Sequence, residues 1–246
     1  MTAEKRRHPH ARKILALAEE DKAAEIEELL SATSVNENKE LLLESCNENK
    51  ETALWRACKM GNVESAAVLL KHGANANVQS KFLESPAYIA AQFGRRSCLE
   101  LLLRCDADFL TLRDLRGELP IHVATYHGKL RCAELLLEAG TPVNIQDKDG
   151  RTPAYVASYH DHVEILEMLI RHGADLNIPR NNGRTPLYCA AAEGNPFCLR
   201  MLIAFGADVN LRDKQQRTAL TASTVGNAGE DRGEIKAILR AAGAEF

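Results

Sequence analysis

The feature that most constrains the fold of this chain is a seven-residue phrase that returns at an almost fixed interval. RTPAYVA, starting at Arg151, returns as RTPLYCA at Arg184, and weaker copies start at Glu51, Glu84, Glu118 and Arg217. Successive copies are 33, 34, 33, 33 and 33 residues apart. A period of this length indicates stacked supersecondary units that bury their apolar faces against their neighbours.

Each copy of the phrase predicts the start of a pair of helices. A Ser or Thr at the second letter can cap a helix, and Pro at the first helical position gives up no needed donor. Glycines end the first helix in four copies, at Gly61, Gly94, Gly128 and Gly194. A second helix follows with an apolar stripe, as in VEILEMLIRHG from Val163. The pattern therefore predicts an all-α array of helix–turn–helix units.

The phrase, its period and the closing sequences GADLN at Gly173 and GADVN at Gly206 make the chain resemble the ankyrin repeat family. This resemblance implies an all-α ankyrin-repeat solenoid whose helix pairs are joined by β-hairpin-like turns. It also implies a protein-binding function. The predicted array covers residues 49–246, divided as 49–81, 82–115, 116–148, 149–181, 182–214 and 215–246.

The N-terminal part of the chain departs from this regular pattern. The sequence from Ile14 to Leu30 matches the two helices of the first clear repeat, and we expect residues 14–48 to form a divergent capping repeat and a loop. Residues 1–13 are predicted to be a basic, flexible arm. The arm has two interpretations that stay open, a nuclear-import signal and a solvated tail.

Composition excludes several classes of function. With 31 basic and 34 acidic residues the net charge is -3, which argues against a dedicated nucleic-acid binder. No apolar run approaches the roughly 20 residues of a membrane span, so we expect no membrane insertion. The seven cysteines show no CxxC spacing, which favours free thiols in a reducing compartment. We therefore expect a cytoplasmic protein, or a nuclear one if the arm is an import signal.

Histidines and cysteines are the residues that would carry chemistry, and their positions favour structural roles. His160 and His162 lie at a predicted break between helices, where turn residues are the simpler interpretation than metal ligands. Cys98, Cys132 and Cys198 occupy the same inward position of three repeats, where Cys acts as a small hydrophobe. We expect no catalytic residue, no metal and no cofactor, and hence no enzyme activity.

Residues at the exposed end of each predicted first helix are the candidates for partner binding. In proteins that resemble this one, those helix ends and the turn tips line a groove that grips a partner. Two apolar residues also fall at a turn tip, where water-facing side chains need a partner to cover them. The predicted partner-binding residues are Phe82, Leu83, Phe93, Tyr126, His127, Tyr159 and His160. The alternatives are that the tip folds back and that the tyrosine rings pack between repeats.

The fifth letter of the phrase is aromatic in four copies, at Trp55, Tyr88, Tyr155 and Tyr188, where the family prefers His. We expect these residues to change how the turns are tied together, and the sequence leaves open whether they add binding surface.

The resemblance implies one modification, because ankyrin proteins are substrates of an asparaginyl hydroxylase. The candidate residues each follow a Leu by eight positions and are Asn77, Asn144, Asn177 and Asn210. Asn is also the ordinary turn residue at this place, since its side chain bonds local backbone.

These observations predict a monomeric, non-enzymatic scaffold or adaptor that binds a partner protein through the groove. The alternative is a targeting or regulatory subunit that recruits or inhibits an enzyme such as a kinase, a phosphatase or a ubiquitin ligase.

Overall fold

The structure, a computed structural model, describes residues 9–33, 36–105, 110–225 and 232–245. The chain divides into two compact units, Met1–Ala124 and Thr125–Phe246. The described residues form α-helices joined by turns, with one isolated antiparallel bridge between Cys46 and Thr52 and no strand. The predicted all-α class therefore holds for the part of the chain that the structure describes.

The first unit contains a succession of short helices. They are α1 (Pro9–Glu19), α2 (Ala23–Ala32), α3 (Asn36–Leu43), α4 (Ala53–Met60), α5 (Val63–Lys71), α6 (Pro86–Gln92), α7 (Arg96–Leu103) and α8 (Pro120–Tyr126), whose last two residues belong to the second unit. The first helices α1, α4 and α6 pack in sequence against one another, and the second helices α2, α5 and α7 form a row beside them.

The second unit repeats the same arrangement with a new set of helices. They are α9 (Leu130–Glu138), α10 (Pro153–Tyr159), α11 (Val163–Arg171), α12 (Pro186–Glu193), α13 (Pro196–Ala204), α14 (Ala219–Val225) and α15 (Arg232–Ala241). The first helices α10, α12 and α14 pack in order, as do the second helices α9, α11, α13 and α15. Within each unit, these helices therefore pack against the equivalent helix of the next repeat.

The repeated phrase places a cap at the start of the first helices. The Thr152 hydroxyl accepts a hydrogen bond from the Tyr155 amide at 3.1 Å, and the hydroxyls of Thr52, Ser85, Thr185 and Thr218 do the same for the residue three positions later. In α8, which lacks this hydroxyl, the Leu119 amide donates instead to Nδ1 of the buried His122 at 3.1 Å. His122, which stands at the fifth letter of its copy of the phrase, is therefore a structural residue.

The break after the first helix requires a left-handed residue. Gly61 and Gly194 adopt φ of 87° and 82° and end their helices, while Asp161 takes the same place in its repeat with φ of 56°. Asp tolerates this region better than most residues with a side chain. The break therefore survives where the glycine is lost.

Two parts of the N-terminal prediction need correction. Helix α1 begins at Pro9, so the last five residues of the predicted arm at 1–13 are helical, because Pro suits a helix start and Ala11 is buried. Helix α3 lies inside the stretch predicted to be a loop after Leu30, because its Leu42 and Leu43 are buried. Burial of these leucines stabilises a helix in a segment whose Asn and Glu content suggests a loop. Residues 1–8 of the predicted arm lie outside the described residues.

Candidate functional site

The turn tip between the first two regular repeats carries an apolar cluster. Phe82 and Leu83 are 50% and 40% exposed, and the next tip adds Leu115, whose amide donates to the Phe82 carbonyl at 3.3 Å. Phe82 and Leu83 therefore do not fold back into the core of the first unit. These three residues form what we call the tip cluster.

Leu83 has an unusual backbone conformation for its residue type. Its φ is 63°, in the left-handed region, and the equivalent residues of three other repeats are Gly117, Gly150 and Gly183. A bulky side chain costs on the order of 1–2 kcal/mol in this conformation, a cost that glycine does not have. The chain therefore keeps an exposed leucine at a position where glycine is the less strained residue.

Phe93 also lies on the surface of the first unit, at the end of helix α6. The Lys59 ammonium is 5.9 Å from the centre of the Phe93 ring and 5.4 Å from that of Trp55. These distances fit a cation held over two aromatic faces. Met60, which the sequence analysis did not single out, is exposed on the preceding helix end.

The second unit brings four of the predicted residues together. The ring of Tyr126 meets those of His127 and His160 edge-on, with centroids 4.9 and 4.4 Å apart, and Tyr159 contacts His160 in the same way at 4.9 Å. His160 also stacks on His162 at 5.9 Å. These five residues form what we call the tyrosine–histidine cluster.

The tyrosine–histidine cluster presents a mostly uncharged aromatic surface. Tyr126, His127 and Tyr159 are exposed, whereas His160 is half-buried between them. Burial lowers the pKa of His160, and the neighbouring His162 and His127 lower it further. The folded protein therefore favours the neutral form of His160.

The aromatic residues at the fifth letter of the phrase are interior residues. Trp55, Tyr88, Tyr155 and Tyr188 are all buried, and the Trp55 indole donates to the Glu84 carbonyl at 3.2 Å. The Tyr88 hydroxyl lies 3.2 and 3.3 Å from the carboxylates of Asp114 and Glu118. The structure thus answers the question that the sequence left open, because these rings tie repeats together.

The candidate hydroxylation residues have a structural role in the second unit. The Asn144 side-chain oxygen accepts from the Asp175 amide at 2.9 Å, and those of Asn177 and Asn210 accept from Asp208 and Glu245 at 2.9 and 2.8 Å. Each side chain therefore links one repeat to the loop of the next. Asn77 is half-buried in the first unit. Hydroxylation of these residues stays a prediction.

The structure shows two exposed aromatic residues that the sequence analysis missed, one in helix α13 and one at its C-terminal cap. Phe197 and Phe205 are 67% and 59% exposed. A comparison between repeats could have found the first of them, because its equivalents are polar in four other repeats: Glu64, Ser97, Arg131 and Glu164. The phrase itself carries no such signal, since it lies in the first helix.

Within the described ranges, no group of three or more His, Cys, Asp or Glu side chains is placed to hold a metal ion. None of the helices described there has both the length and the apolar character needed to cross a membrane.

Together, the paired helices, capped starts and exposed helix ends define a helical-repeat protein of the kind used for protein binding. Ankyrin-repeat family profiles match residues 54–103, 87–180 and 182–214. The chain therefore belongs to the ankyrin repeat family, as its sequence predicted. Ankyrin repeats generally serve as protein–protein interaction modules, and the family is typically non-enzymatic.

Solved structures of ankyrin repeat domains share this fold. The ankyrin repeat domain of Bcl-3, a unique member of the IkappaB protein family, is 24% identical with a TM-score of 0.79, covering 92% of this chain and 97% of that chain. The human ASB11 ankyrin repeat domain is 24% identical with a TM-score of 0.78, covering 98% and 100%. This likeness confirms the all-α ankyrin fold. A search of the curated proteins gave no match.

Proposed function

We propose that this protein is a non-enzymatic scaffold or adaptor that binds a partner protein through exposed aromatic and apolar residues of its first helices and turn tips. The observation that carries the proposal is Leu83, an exposed leucine held at a φ of 63°. Three other repeats have glycine at this position, and two have the polar residues Lys50 and Gln216, each at a φ of 60°. Backbone strain of this kind is concentrated at binding and switch sites. A partner that covers the leucine would offset its cost.

The tyrosine–histidine cluster supports the same proposal from the second unit. Tyr126 and Tyr159 expose large rings whose neighbours are the rings of His127 and His160. Tyrosine is enriched in the residues that dominate binding energy, because its ring buries a large area at a small cost in side-chain entropy. Rings packed edge to edge are also restricted before a partner arrives, which lowers the cost of binding further.

The experiment that tests this function is an affinity capture from cell lysate, read by quantitative mass spectrometry. Wild-type protein is compared with the triple variant Phe93→Ala/Tyr126→Ala/Tyr159→Ala. The matched control is Phe197→Ala/Phe205→Ala, which also truncates exposed aromatic residues, but in helix α13 and at its C-terminal cap. All three proteins must show the same melting temperature, so that loss of a partner is not loss of folding.

We expect the triple variant to lose at least one specific protein that the control variant retains, and the lost protein to rebind purified wild type. Retention of the same set of proteins by wild type and the triple variant would contradict the proposal. Loss of the same proteins from both variants would also contradict it, because the aromatic residues of the first helices would then have no separate role.

The exposed face of α13 favours a second candidate function, a targeting or regulatory subunit that recruits or inhibits an enzyme. Such a subunit needs two binding surfaces, and Phe197 and Phe205 provide an apolar surface separate from the first-helix ends. In the capture experiment this function requires an enzyme that the Phe197→Ala/Phe205→Ala variant loses and the triple variant keeps.

We also propose a cytoplasmic or nuclear location. All seven cysteines are free thiols, and six of them are buried, which suits a reducing compartment. Fractionation of cells that express the protein tests this location directly.

A further inference from the structure

Three successive turn tips of the second unit, residues 146–151, 179–184 and 212–217, differ in whether a carboxylate pairs with the last arginine of the tip. The first tip has the pair Asp147 and Arg151, and the third has Asp213 and Arg217. The middle tip has Arg180 and Arg184 at the same two positions, so an arginine replaces the aspartate.

In the outer two tips the aspartate neutralises the arginine and orders the turn. Asp147 accepts from the Arg151 guanidinium at 2.6 Å and from its amide at 2.8 Å. Asp213 accepts from the guanidinium of Arg217 at 2.7 and 3.0 Å and from its amide at 3.0 Å. The carboxylate is therefore the ordinary partner of the arginine four residues later.

The middle tip keeps the same backbone without that carboxylate. The Arg180 amide donates to the Arg184 carbonyl at 2.9 Å, and the Asn182 side chain accepts from the Arg184 amide at 3.2 Å. The equivalent main-chain bond joins Asp147 and Arg151 in the first tip at 3.1 Å. The middle tip thus has the same turn as the first tip, so a change in backbone structure does not explain why it has arginine in place of aspartate.

Both guanidiniums of the middle tip are held in place by aromatic rings. Arg180 lies 5.7 Å from the centre of the Tyr155 ring, and Arg184 lies 5.1 Å from that of Tyr188. Each guanidinium also has one long ion pair, with Asp149 at 4.0 Å from Arg180 and Asp213 at 3.7 Å from Arg184. The pairs of the outer tips are shorter, at 2.6 and 2.7 Å. Asp213 is already bonded to Arg217, so it neutralises Arg184 only in part.

The middle and third tips together carry a strong positive charge. Residues 179–184 and 212–217 contain five cations and one carboxylate, Asp213. The cations are Arg180, Arg184, Arg212, Lys214 and Arg217. The tips are joined by a bond from the Lys214 amide to the Asn182 carbonyl at 3.0 Å, so their charges share one surface, which we call the cationic ridge. The chain as a whole carries a net charge of -3, so this ridge departs from the rest of the molecule.

We infer that the cationic ridge binds an acidic peptide segment of a partner protein. Asp or Glu side chains of that peptide would pair with the ridge arginines in place of the aspartate that the middle tip lacks. Planar guanidiniums bind carboxylates through paired hydrogen bonds, and stacking on Tyr155 and Tyr188 fixes their orientation in advance. A nucleic acid fits less well, because single strands need free aromatic faces for their bases and these two rings are buried beneath the arginines. The inference rests on the proposed function in that it assumes a protein partner.

Fluorescence anisotropy with defined peptides tests the inference. The probe is a short labelled peptide of alternating Glu and Ser, and its control has Gln in place of Glu. The key variant is Arg180→Asp, which restores the residue found in the neighbouring tips. The matched control is Arg131→Asp, which makes the same change of charge near the start of helix α9 and away from the tips.

Wild type is expected to bind the Glu peptide with an affinity that falls as salt rises, and not to bind the Gln peptide. Arg180→Asp should weaken binding about tenfold or more, as loss of a charge-assisted hydrogen bond predicts. Arg131→Asp should change it by less than about twofold. Equal weakening by both variants would overturn the inference, since only net charge would then matter.

Other outcomes also decide the matter. No binding of the Glu peptide to wild type overturns the inference, as does binding of a phosphoserine peptide or a single-stranded oligonucleotide in its place. If the Glu peptide fails while the triple aromatic variant still loses a captured protein, the inference fails and the proposed function stands. If the Glu peptide binds through Arg180 and the triple variant loses no captured protein, the inference about the cationic ridge stands and the proposed binding through the first helices is wrong.

Discussion

His162 Nε2 lies 3.1 Å from the main-chain oxygen of Tyr126, thirty-six residues earlier in the chain. The residue after the break plays the same part in other repeats. In the first unit Asn62 donates to the Ala18 carbonyl at 2.8 Å, and in the second unit Asn195 donates to the Ser158 carbonyl at 2.8 Å. His162 therefore ties one repeat to the end of the preceding first helix, and it also supports the tyrosine–histidine cluster.

This relationship predicts that His162→Ala destabilises the protein while His162→Asn does not. Removal of the hydrogen bond to Tyr126 should lower the free energy of unfolding by about 1 kcal/mol. Asn should retain the bond, because Asn62 and Asn195 make it in their own repeats. Urea denaturation measures both changes, and equal stability of the Ala and Asn variants would contradict the assignment.

The pKa of His160 provides a test of the cluster in solution. Burial lowers this pKa in the folded protein, and the facing groups His162, His127 and Arg151 lower it further. The folded state therefore binds this proton more weakly than the unfolded state, and its contribution to stability is lost as pH falls below about 6.5. We expect the NMR titration of the His160 ring to have its midpoint below that of the same ring in urea. An equal or higher midpoint in the folded protein would show that the ring is not buried in the cluster.

The repeat architecture could be predicted from sequence because each repeated letter has a local physical role. Thr152 caps a helix through its own hydroxyl, and Pro153 suits the first helical turn whatever surrounds it. The left-handed breaks are similarly local, because Gly61 ends its helix by its own backbone freedom. Local chemistry of this kind is visible in a single sequence.

The parts that could not be predicted depend on packing between distant residues. Leu42 lies in a segment rich in Asn, Glu and Lys, yet it is buried in a helix that packs against α1. Tyr155 and Tyr159 lie one turn apart in the same helix, yet Tyr155 is buried and Tyr159 is exposed. The residue type alone does not reveal this difference. The positive φ of Leu83 was also not predicted, although glycine at three equivalent positions indicates a left-handed residue there.

The strained turn predicts that Leu83→Gly makes the protein more stable and less able to bind its partner. Glycine removes the cost of the left-handed conformation, and after its own entropic penalty we expect a gain of about 0.5–1 kcal/mol. At the equivalent position of another repeat, Gly150→Ala should make the protein less stable. A Cβ there would lie 2.8 Å from the Asn181 main-chain nitrogen. Thermal melting and the capture assay measure the two effects, and retained binding by Leu83→Gly would remove the leucine from the proposed surface.

The correction at the N-terminus predicts a core role for helix α3. Leu42 is completely buried, so Leu42→Ala should lower the free energy of unfolding by about 2–5 kcal/mol. Glu40→Ala, on the exposed side of the same helix, should change it by less than about 0.5 kcal/mol. Urea unfolding compares the two variants. Similar small effects would mean that this segment is the loop that its composition suggests.

Asp213 links the stability of the second unit to its cationic ridge. Burial by itself would raise the pKa of Asp213, but hydrogen bonds from the Arg217 side chain and from the Arg217 and Gln215 amides lower it to about 2. A carboxylate with a lowered pKa contributes stability above its unfolded value near 4 and loses it as pH falls toward 2. Asp213→Asn should therefore cost on the order of 2 kcal/mol at pH 7, and the gap from wild type should narrow between pH 4 and pH 2.

The same substitution should strengthen binding of the Glu peptide, since it removes the one carboxylate of the cationic ridge and leaves Arg184 and Arg217 without it. Stability and affinity are thus expected to change in opposite directions in one variant. Urea unfolding across pH and peptide anisotropy at pH 7 measure the two quantities. If the difference in unfolding free energy between wild type and Asp213→Asn stays constant from pH 7 to pH 2, the ion pair is contradicted. Weaker peptide binding by Asp213→Asn would show that Asp213 orders the arginines rather than competing with the peptide.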